Sequence, residues 1–386
     1  MRKTNNNIDM LTFALIVIIA GFGVVMVYSA SNYYALVNFG DPFNLVKKQL
    51  MFVIIGVVAM LYIANNIDYK LFCNLKVTAV FYILSICLVA LLPFIGHESN
   101  GATRWIRIGP ISIQPSEFVK IAVILTLSAY IVEYRNKLHD LRYLFVAGLI
   151  ILVPATFVLV ENMSSALVII AAGGLILFVS TPQVWYYILA VGGVFGMGSL
   201  AMWLANNTTE EAGGLIGLIF PQYRLNRFRV WKDPWIDPRG VGYQPIQSLY
   251  AIGSGGLFGR GLGMSIQKQG FLPEPHNDII FSVICEELGL VGASIVLLTY
   301  GILIFRGLSI AVKADDLFGS LVATGLVGLI GVQVLINVAV NTNTLPNTGM
   351  QLPLISYGGT AVVVLLASMG ILLNISKTAK VKKPAK

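Results

Sequence analysis

Apolar residues fall along this chain in long runs separated by short polar connections. Runs long enough to cross a bilayer, which takes about 20 residues, occupy positions 10–30, 49–65, 77–96, 116–133, 143–161, 165–181, 184–205, 279–305, 317–340 and 355–375. They predict about ten transmembrane helices and an all-α integral membrane protein. One connection is not short: a polar, glycine-rich and basic segment at 206–278, between the seventh and eighth helices. The first run, Leu11 to Tyr28, is too long for a signal-peptide core and is followed by further spans, so it reads as a retained helix.

Lysine and arginine in the short loops set the orientation. With the N-terminus inside, the inner loops carry Arg2, Lys3, Lys70, Lys76, Arg135, Lys137, Arg142, Arg306 and Lys313, and a basic tail at 376–386 ends on the same side. The outer short loops carry only Lys47, Lys48, Arg104 and Arg107. The 206–278 segment is then an extracytoplasmic loop, and its many cations do not disturb the assignment because long loops translocate largely regardless of charge.

Composition sharpens the class. The chain has 386 residues, 56% hydrophobic and 11% charged, against roughly 25% charged in soluble domains. The cysteines, Cys73, Cys87 and Cys285, form no CxxC pair and support neither a disulfide framework nor a zinc site. A formal charge of +8 on a membrane protein points to anionic headgroups or anionic substrates rather than nucleic acid, for which no motif is present.

The positives of the large loop need a reason. Arg224, Arg227, Arg229, Lys232, Arg239, Arg260 and Lys268 could be solvated surface or could pair with Glu210, Glu211, Asp233 and Asp237. The tight spacing of Arg224, Arg227 and Arg229, interleaved with Tyr223, Phe228 and Trp231, favours an anion site for a phosphate group.

Four ionisable residues lie inside predicted spans: Glu117, Lys120, Glu286 and Glu287. Each costs roughly 2.5–3.5 kcal/mol at a helix centre, so each must be paired, hydrated or neutralised. Glu117 and Lys120 are three apart and share a helix face. They form either a plain internal ion pair or part of a site beside Arg104 and Arg107.

The stretch Phe271 to Phe281 marks the passage from loop to helix. Pro273 and Pro275 predict an extended approach, and Asn277 or Asp278 suits the N-cap of the next helix. Asp278 would then be either a cap or a carboxylate at the mouth of a membrane helix, where it meets both water and lipid. Glu286 is eight residues on, rotated about 80° and about two turns deeper, so it is expected to line the same cavity. Glu287 points nearly opposite and is expected to pair with another helix.

Other signals exclude chemistries. The glycine-dense 253–263 stretch has no following GK[ST] and no strand–helix unit around it, so it is neither a Walker loop nor a dinucleotide fingerprint. It reads as irregular or re-entrant backbone, which a membrane tolerates only where protein or water satisfies it. His97 and His139 fall on opposite predicted sides, so a three-histidine metal site is excluded.

Four stretches in order, NGATRWIRIGPISIQPSEFVK (100–120), YRLNRFRVWKDPWIDPRGVGYQPIQSLYAIGSGGLFGRGLG (223–263), FLPEPHNDIIFSVICEELGLVG (271–292) and NTLPNTGMQLPLISYGG (343–359), resemble the SEDS family of FtsW, RodA and SpoVE. The resemblance covers nearly the whole chain. Asn100-Gly101-Ala102 and Asn347-Thr348-Gly349 look closer to the FtsW/SpoVE branch. Gly349-Met350-Gln351-Leu352-Pro353-Leu354 and Asn162-Met163-Ser164-Ser165 depart from phrases common in the family.

The resemblance implies the SEDS fold, with ten membrane helices, catalysis on the outer face, and a peptidoglycan glycosyltransferase that polymerises lipid II. It carries the essential aspartate onto Asp278 and functional positions onto Glu117 and Lys120. The expected substrate-binding set is Arg104, Glu117, Lys120, Arg224, Arg227, Arg239, Gln244 and Glu286, with no protein-held metal. Magnesium or manganese could accompany the substrate diphosphate. Implied partners are a class B penicillin-binding protein transpeptidase and other proteins of division or elongation complexes, in a bacterial plasma membrane with both termini cytoplasmic. Two rivals stand beside catalysis: a lipid II flippase, which needs polar groups along the full depth of the bilayer, and a scaffold, which would tolerate neutralising Asp278.

Overall fold

In the computed structural model the described residues are 7–99, 102–108, 111–181 and 222–378, with isolated positions between 192 and 203. Eight described helices are long and apolar enough to cross a membrane: α1 (Met10–Phe39), α2 (Asn44–Asn66), α5 (Pro115–Glu133), α6 (Leu141–Glu161), α7 (Met163–Ser180), α10 (Ile280–Lys313), α11 (Leu317–Asn341) and α12 (Gly359–Thr378). A shorter apolar helix, α3 (Leu75–Ala90), spans ~24 Å at 1.5 Å per residue and continues through the single turn α4 (Leu92–Ile95). These helices match nine of the ten apolar runs. The tenth run, 184–205, lies outside the described residues apart from isolated positions, as does the first part of the large loop.

Burial sorts the helices. The apolar window of α5 is 83% buried, and those of α11 and α12 are 67% buried, against 28% for α2, α6 and α10. The first three are central and the last three present a flank to lipid, where side chains such as Phe305 and Val312 stand exposed. No bilayer-facing flank needs polar groups, so this pattern is what membrane helices of uniform apolarity give once packed.

Side-chain contacts separate the two ends of the bundle. At one end Asp9 accepts from Arg306 at 2.5 Å, Ser376 accepts from the Asp9 amide, and Tyr69 donates to Asp316. Lys377 and Asn65 also meet there. These belong to the loops assigned to one membrane face from their lysines and arginines. At the other end lie the connection from α11 to α12, the start of α10, and a feature that the apolar pattern did not predict. Strands β1 (His97–Ser99), β2 (Ala102–Ile108) and β3 (Ile111–Ile113) form a small antiparallel sheet in that order. Thr360 of α12 ties it down by donating to the Ser112 carbonyl.

The large loop folds as α8 (Gln222–Lys232), a short 3-10 turn at Pro234–Ile236, and α9 (Tyr243–Gly255). Beyond α9 the glycine-dense stretch runs against α10. Arg260 and Gly261 amides donate to the carbonyls of Glu286 and Glu287, and Leu290 and Val291 amides donate to Gly256 and Leu257. Irregular backbone is satisfied here by protein, as a membrane requires. The exchange is possible because α10 breaks at Gly289, whose φ of 69° and ψ of −172° are non-helical. A Cβ at Gly289 would stand 2.3 Å from the Gly259 nitrogen, so only glycine allows both the turn and the approach.

Candidate active site

Residues from the four quoted stretches converge on a cavity of about 520 Å³. β2 contributes Arg104. One face of α8 contributes Asn226, Arg227, Val230 and Trp231, the i, i+1, i+4, i+5 positions of a helical stripe. The turn before α9 supplies Gly240 and Val241, and its first residues supply Tyr243, Gln244 and Pro245. Pro273, Asn343 and Asn347 complete the lining.

Hydrogen bonds hold these walls together. Trp231 Nε1 donates to the Asn343 carbonyl at 3.0 Å, and Asn343 Nδ2 donates back to the Trp231 carbonyl at 3.2 Å. Arg227 Nη1 donates to the Asn347 carbonyl at 3.1 Å, and Asn347 Nδ2 donates to Gln244 Oε1 at 2.8 Å. The 343–349 segment is therefore the spine to which α8 and α9 are fastened.

Asp278 borders this lining through Arg104. A Cβ on Gly349 would stand 3.7 Å from Asp278 Oδ2 and 3.9 Å from Arg104 Nη1, so both side chains lie beside the same glycine. Asp278 is partly buried. Burial raises its pKa to about 6; its own backbone N–H opposes, nearby Glu274 raises it further, and Arg227 and Arg104 pull it down. The result is a carboxylate that is ionised at neutral pH yet more basic than an exposed one, which suits general-base work.

The approach to Asp278 is not the extended one expected from Pro273 and Pro275. Residues 271–279 fold as consecutive turns. Glu274 takes a left-handed φ of 47° and accepts from the Asn277 amide at 3.0 Å and from Asn277 Nδ2 at 2.7 Å. The turns are pinned to the α11–α12 connection: Ser356 Oγ donates to the Asn277 carbonyl and Tyr357 N to the His276 carbonyl. His276 is buried between the rings of Tyr34 and Tyr357. Burial lowers its pKa to about 4, so it is neutral at physiological pH. Neither Asn277 nor Asp278 caps α10: the N-cap position is Ile279 and no local side chain bonds the first turn. The carboxylate is free of the capping role that the sequence allowed it.

The remaining expected site residues divide. Arg104, Arg227 and Gln244 line the cavity. Arg239 is exposed on the turn beside Gly240 and is not part of the lining. Arg224 lies on α8 with its side chain outside the described residues. Glu117 and Lys120 pair with each other at 2.7 Å at the start of α5, outside the cavity wall.

Glu286 is a correction. It does not line the cavity but faces the loop after α9, accepting from Ser265 Oγ at 2.5 Å and from the Ile266 amide at 2.9 Å, with Arg260 Nε 3.7 Å away. Those donors consume its oxygens. Glu287 does pair across elements, with Lys268 at 2.7 Å and Ser29 of α1 at 2.7 Å. The carboxamides Asn226, Asn343 and Asn347 were not expected as site residues, although all three stand in quoted stretches and Asn347 served there only as a mark of the family branch; without charge they gave no signal of a site role.

The fold and site together define a polytopic membrane protein with a cation-walled, carboxamide-rich cavity at one end of its helix bundle and a basic carboxylate at the cavity's edge. The family described as cell cycle protein, FtsW/RodA/SpoVE, matches residues 9–381. The chain is 37% identical over 378 residues to stage V sporulation protein E of Bacillus subtilis strain 168, covering 96% of this chain and 98% of that protein. It is 35% identical over 374 residues to the probable peptidoglycan glycosyltransferase FtsW of Geobacter sp. strain M18, covering 95% and 96%.

Among solved structures, one chain from work described as "Structural coordination of polymerization and crosslinking by a peptidoglycan synthase complex" superposes with a TM-score of 0.75 at 27% identity, covering 96% of this chain and 97% of that one. The rod shape determining protein RodA of Thermus thermophilus gives 0.66 at 25% identity, covering 97% and 98%. This chain belongs to the FtsW/RodA/SpoVE family.

Proposed function

We infer that this protein is a peptidoglycan glycosyltransferase that polymerises lipid II by inverting displacement of the polyprenyl diphosphate. The observation that carries the reading is Asp278: a carboxylate of raised basicity, released from helix capping, beside a cavity whose cations are Arg104 and Arg227. Asp278 takes the proton from the acceptor sugar's 4-hydroxyl as that oxygen attacks the donor's anomeric carbon. The bond to the diphosphate breaks, and the guanidinium groups stabilise the departing charge, so no general acid is needed. The carboxamides of Asn226, Gln244, Asn343 and Asn347, with Trp231, suit the hydroxyls and faces of sugar rings.

A divalent ion arriving with the diphosphate would share in neutralising the leaving charge. Among the described residues Glu274 and Asp278 are the acidic groups that would lie near it, so phosphate and water would fill its other positions. The isoprenoid tails stay in lipid along the exposed flanks of the helices. The site end of the bundle faces outward and both termini face the cytoplasm, and a class B penicillin-binding protein transpeptidase docks alongside.

Translocation is the weaker reading. Glu117 with Lys120, Glu287 with Lys268, and Glu286 with the 260–267 loop close on one another rather than forming a path through the bundle's depth. The test is polymer formation from purified lipid II by Asp278→Asn. Loss of a positioned base is expected to lower the rate about 10²–10⁴-fold with insertion unchanged; wild-type polymerisation would sink the assignment.

A further inference from the structure

The start of α10 is unusual in what satisfies it. The Asp278 carbonyl accepts from Asn337 Nδ2 at 2.8 Å and from Asn341 Nδ2 at 2.9 Å, both on the last turns of α11. In an uninterrupted helix that carbonyl would accept from the amide four residues on, at Ser282. Ser282 N–H is instead shared between the Ile279 carbonyl at 3.0 Å and Asn341 Oδ1 at 3.2 Å. The Ser282 hydroxyl donates to the same Asn341 oxygen at 2.7 Å. One carboxamide thus stands between the two backbone groups that would otherwise make the first helical hydrogen bond, donating to one and accepting from the other.

The insert is itself held. Asn337 is fully buried and Asn341 is 2% exposed. Asn337 Nδ2 also donates to the Met350 carbonyl at 2.6 Å, and Ser248 Oγ of α9 donates to the Asn341 carbonyl at 2.8 Å. The buried Asn341 carboxamide, bonded at both its oxygen and its nitrogen, is costly to displace.

We propose that Asn341, assisted by Asn337, is a positioning residue that keeps α10 from winding back through residue 278, so that the Asp278 carboxylate stays turned toward Arg104 and Arg227. This rests on Asp278 being the base. Without the insert, the Asp278 carbonyl regains Ser282 as its donor and residue 278 becomes an ordinary N-cap. Its carboxylate then accepts from the helix's own first amides. Such bonds favour the ionised form and lower basicity, and they move the oxygens away from the cavity. Among the described residues the other charged groups bearing on Asp278 are Glu274 on its own turn, Arg227 on α8 and Arg104 on β2. None of them is altered by a change at Asn341.

The test is the pH dependence of kcat and KM for lipid II polymerisation by the full-length protein in lipid nanodiscs, comparing wild type with Asn341→Ala, Asn337→Ala and Ser248→Ala. Asn341→Ala is expected to lose about 10²-fold in kcat, the effect of misplacing a reacting group by about 1 Å. KM should change little, and the acid limb should move to lower pH. Asn337→Ala should shift both in the same direction by less. Ser248→Ala removes a bond to the Asn341 backbone carbonyl but keeps the Asn341 carboxamide between the Asp278 carbonyl and the Ser282 N–H, so it should leave the limb in place.

A wild-type kcat and limb in Asn341→Ala, or a loss with the limb unmoved, would overturn the proposal. If Asn341→Ala does not insert, Asn337→Ala decides by the same criteria. Asp278→Asn runs alongside. If it is inactive while Asn341→Ala is normal, only the positioning role falls; if it polymerises, the base assignment falls with it.

Discussion

Lys268 is the residue whose loss the structure prices most clearly. Its side chain is 2% exposed and its ammonium lies 2.7 Å from Glu287, which is fully buried. It also donates to Ser29 Oγ at 3.0 Å, so α1, α10 and the loop after α9 meet at one buried charge pair. Lys268→Met removes the cation and leaves the Glu287 carboxylate with only hydroxyl and amide donors. Breaking a buried pair from one side costs about 3–5 kcal/mol. Replacing both partners removes the stranded charge, so Lys268→Met/Glu287→Leu should recover most of that loss. The assay is unfolding in mixed detergent micelles for wild type, both single variants and the double variant, read as a double-mutant cycle. A coupling of about 2 kcal/mol or more is expected. Polymerisation should fall in Lys268→Met, because the loop that Lys268 anchors continues directly into the turns that carry Asp278. If Lys268→Met unfolds within about 0.5 kcal/mol of wild type and the two changes add, the pair is not the anchor inferred here.

Two further outcomes follow from named contacts. Arg227→Ala should cost about 10²-fold in kcat, as loss of one charge-stabilising donor does. Arg227→Lys should restore only part of it, since an ammonium cannot match the guanidinium's fork to the Asn347 carbonyl and an incoming phosphate together; equal rates for the two variants would contradict this. Gly289→Ala should destabilise by at least about 2 kcal/mol, because its φ of 69° disfavours a side chain and the new Cβ would meet the Gly259 and Leu257 backbone. Thermal unfolding of the purified variant measures it, and a wild-type transition would refute it.

What the sequence made legible is what the bilayer constrains. Nine apolar runs became helices because hydrocarbon thickness fixes span length and leaves the backbone no alternative. The Glu117–Lys120 pair followed from i, i+3 spacing. The sheet at 97–113 was not legible: its strands are three to seven residues long, and the apolar period there is too short to stand out beside membrane helices. Glu286 was misplaced because rotation about an ideal helix counts from Asp278, whereas α10 begins after that residue and the 257–268 loop folds back to claim the glutamate. Asn341 and Asn337 gave no warning, since an uncharged carboxamide in an apolar run costs little to read past. Their meaning lies in what α11 packs against, which only the fold supplies.

The basicity of Asp278 is a balance, and substrate binding should tip it. Burial and Glu274 raise its pKa, while Arg227 and Arg104 lower it, leaving it about 6. In the proposed reaction, with Asp278 as the base, a donor diphosphate would bring negative charge to those same guanidinium groups. That cancels the pull they exert on the carboxylate and adds a like charge nearby, and both changes favour the protonated form. The base therefore strengthens when the leaving group is in place. In pH profiles, kcat/KM reports the free enzyme and kcat the substrate complex. With Asp278 as the proposed base, activity needs the ionised carboxylate, so both profiles should fall as pH drops, kcat/KM with an apparent pKa about 6 and kcat with a higher one. In Arg227→Ala part of the pull is already gone, so the kcat/KM limb should start higher and the gap between the two limbs should narrow. Coincident limbs in the wild-type enzyme would mean that the diphosphate does not sit against the cations that face Asp278.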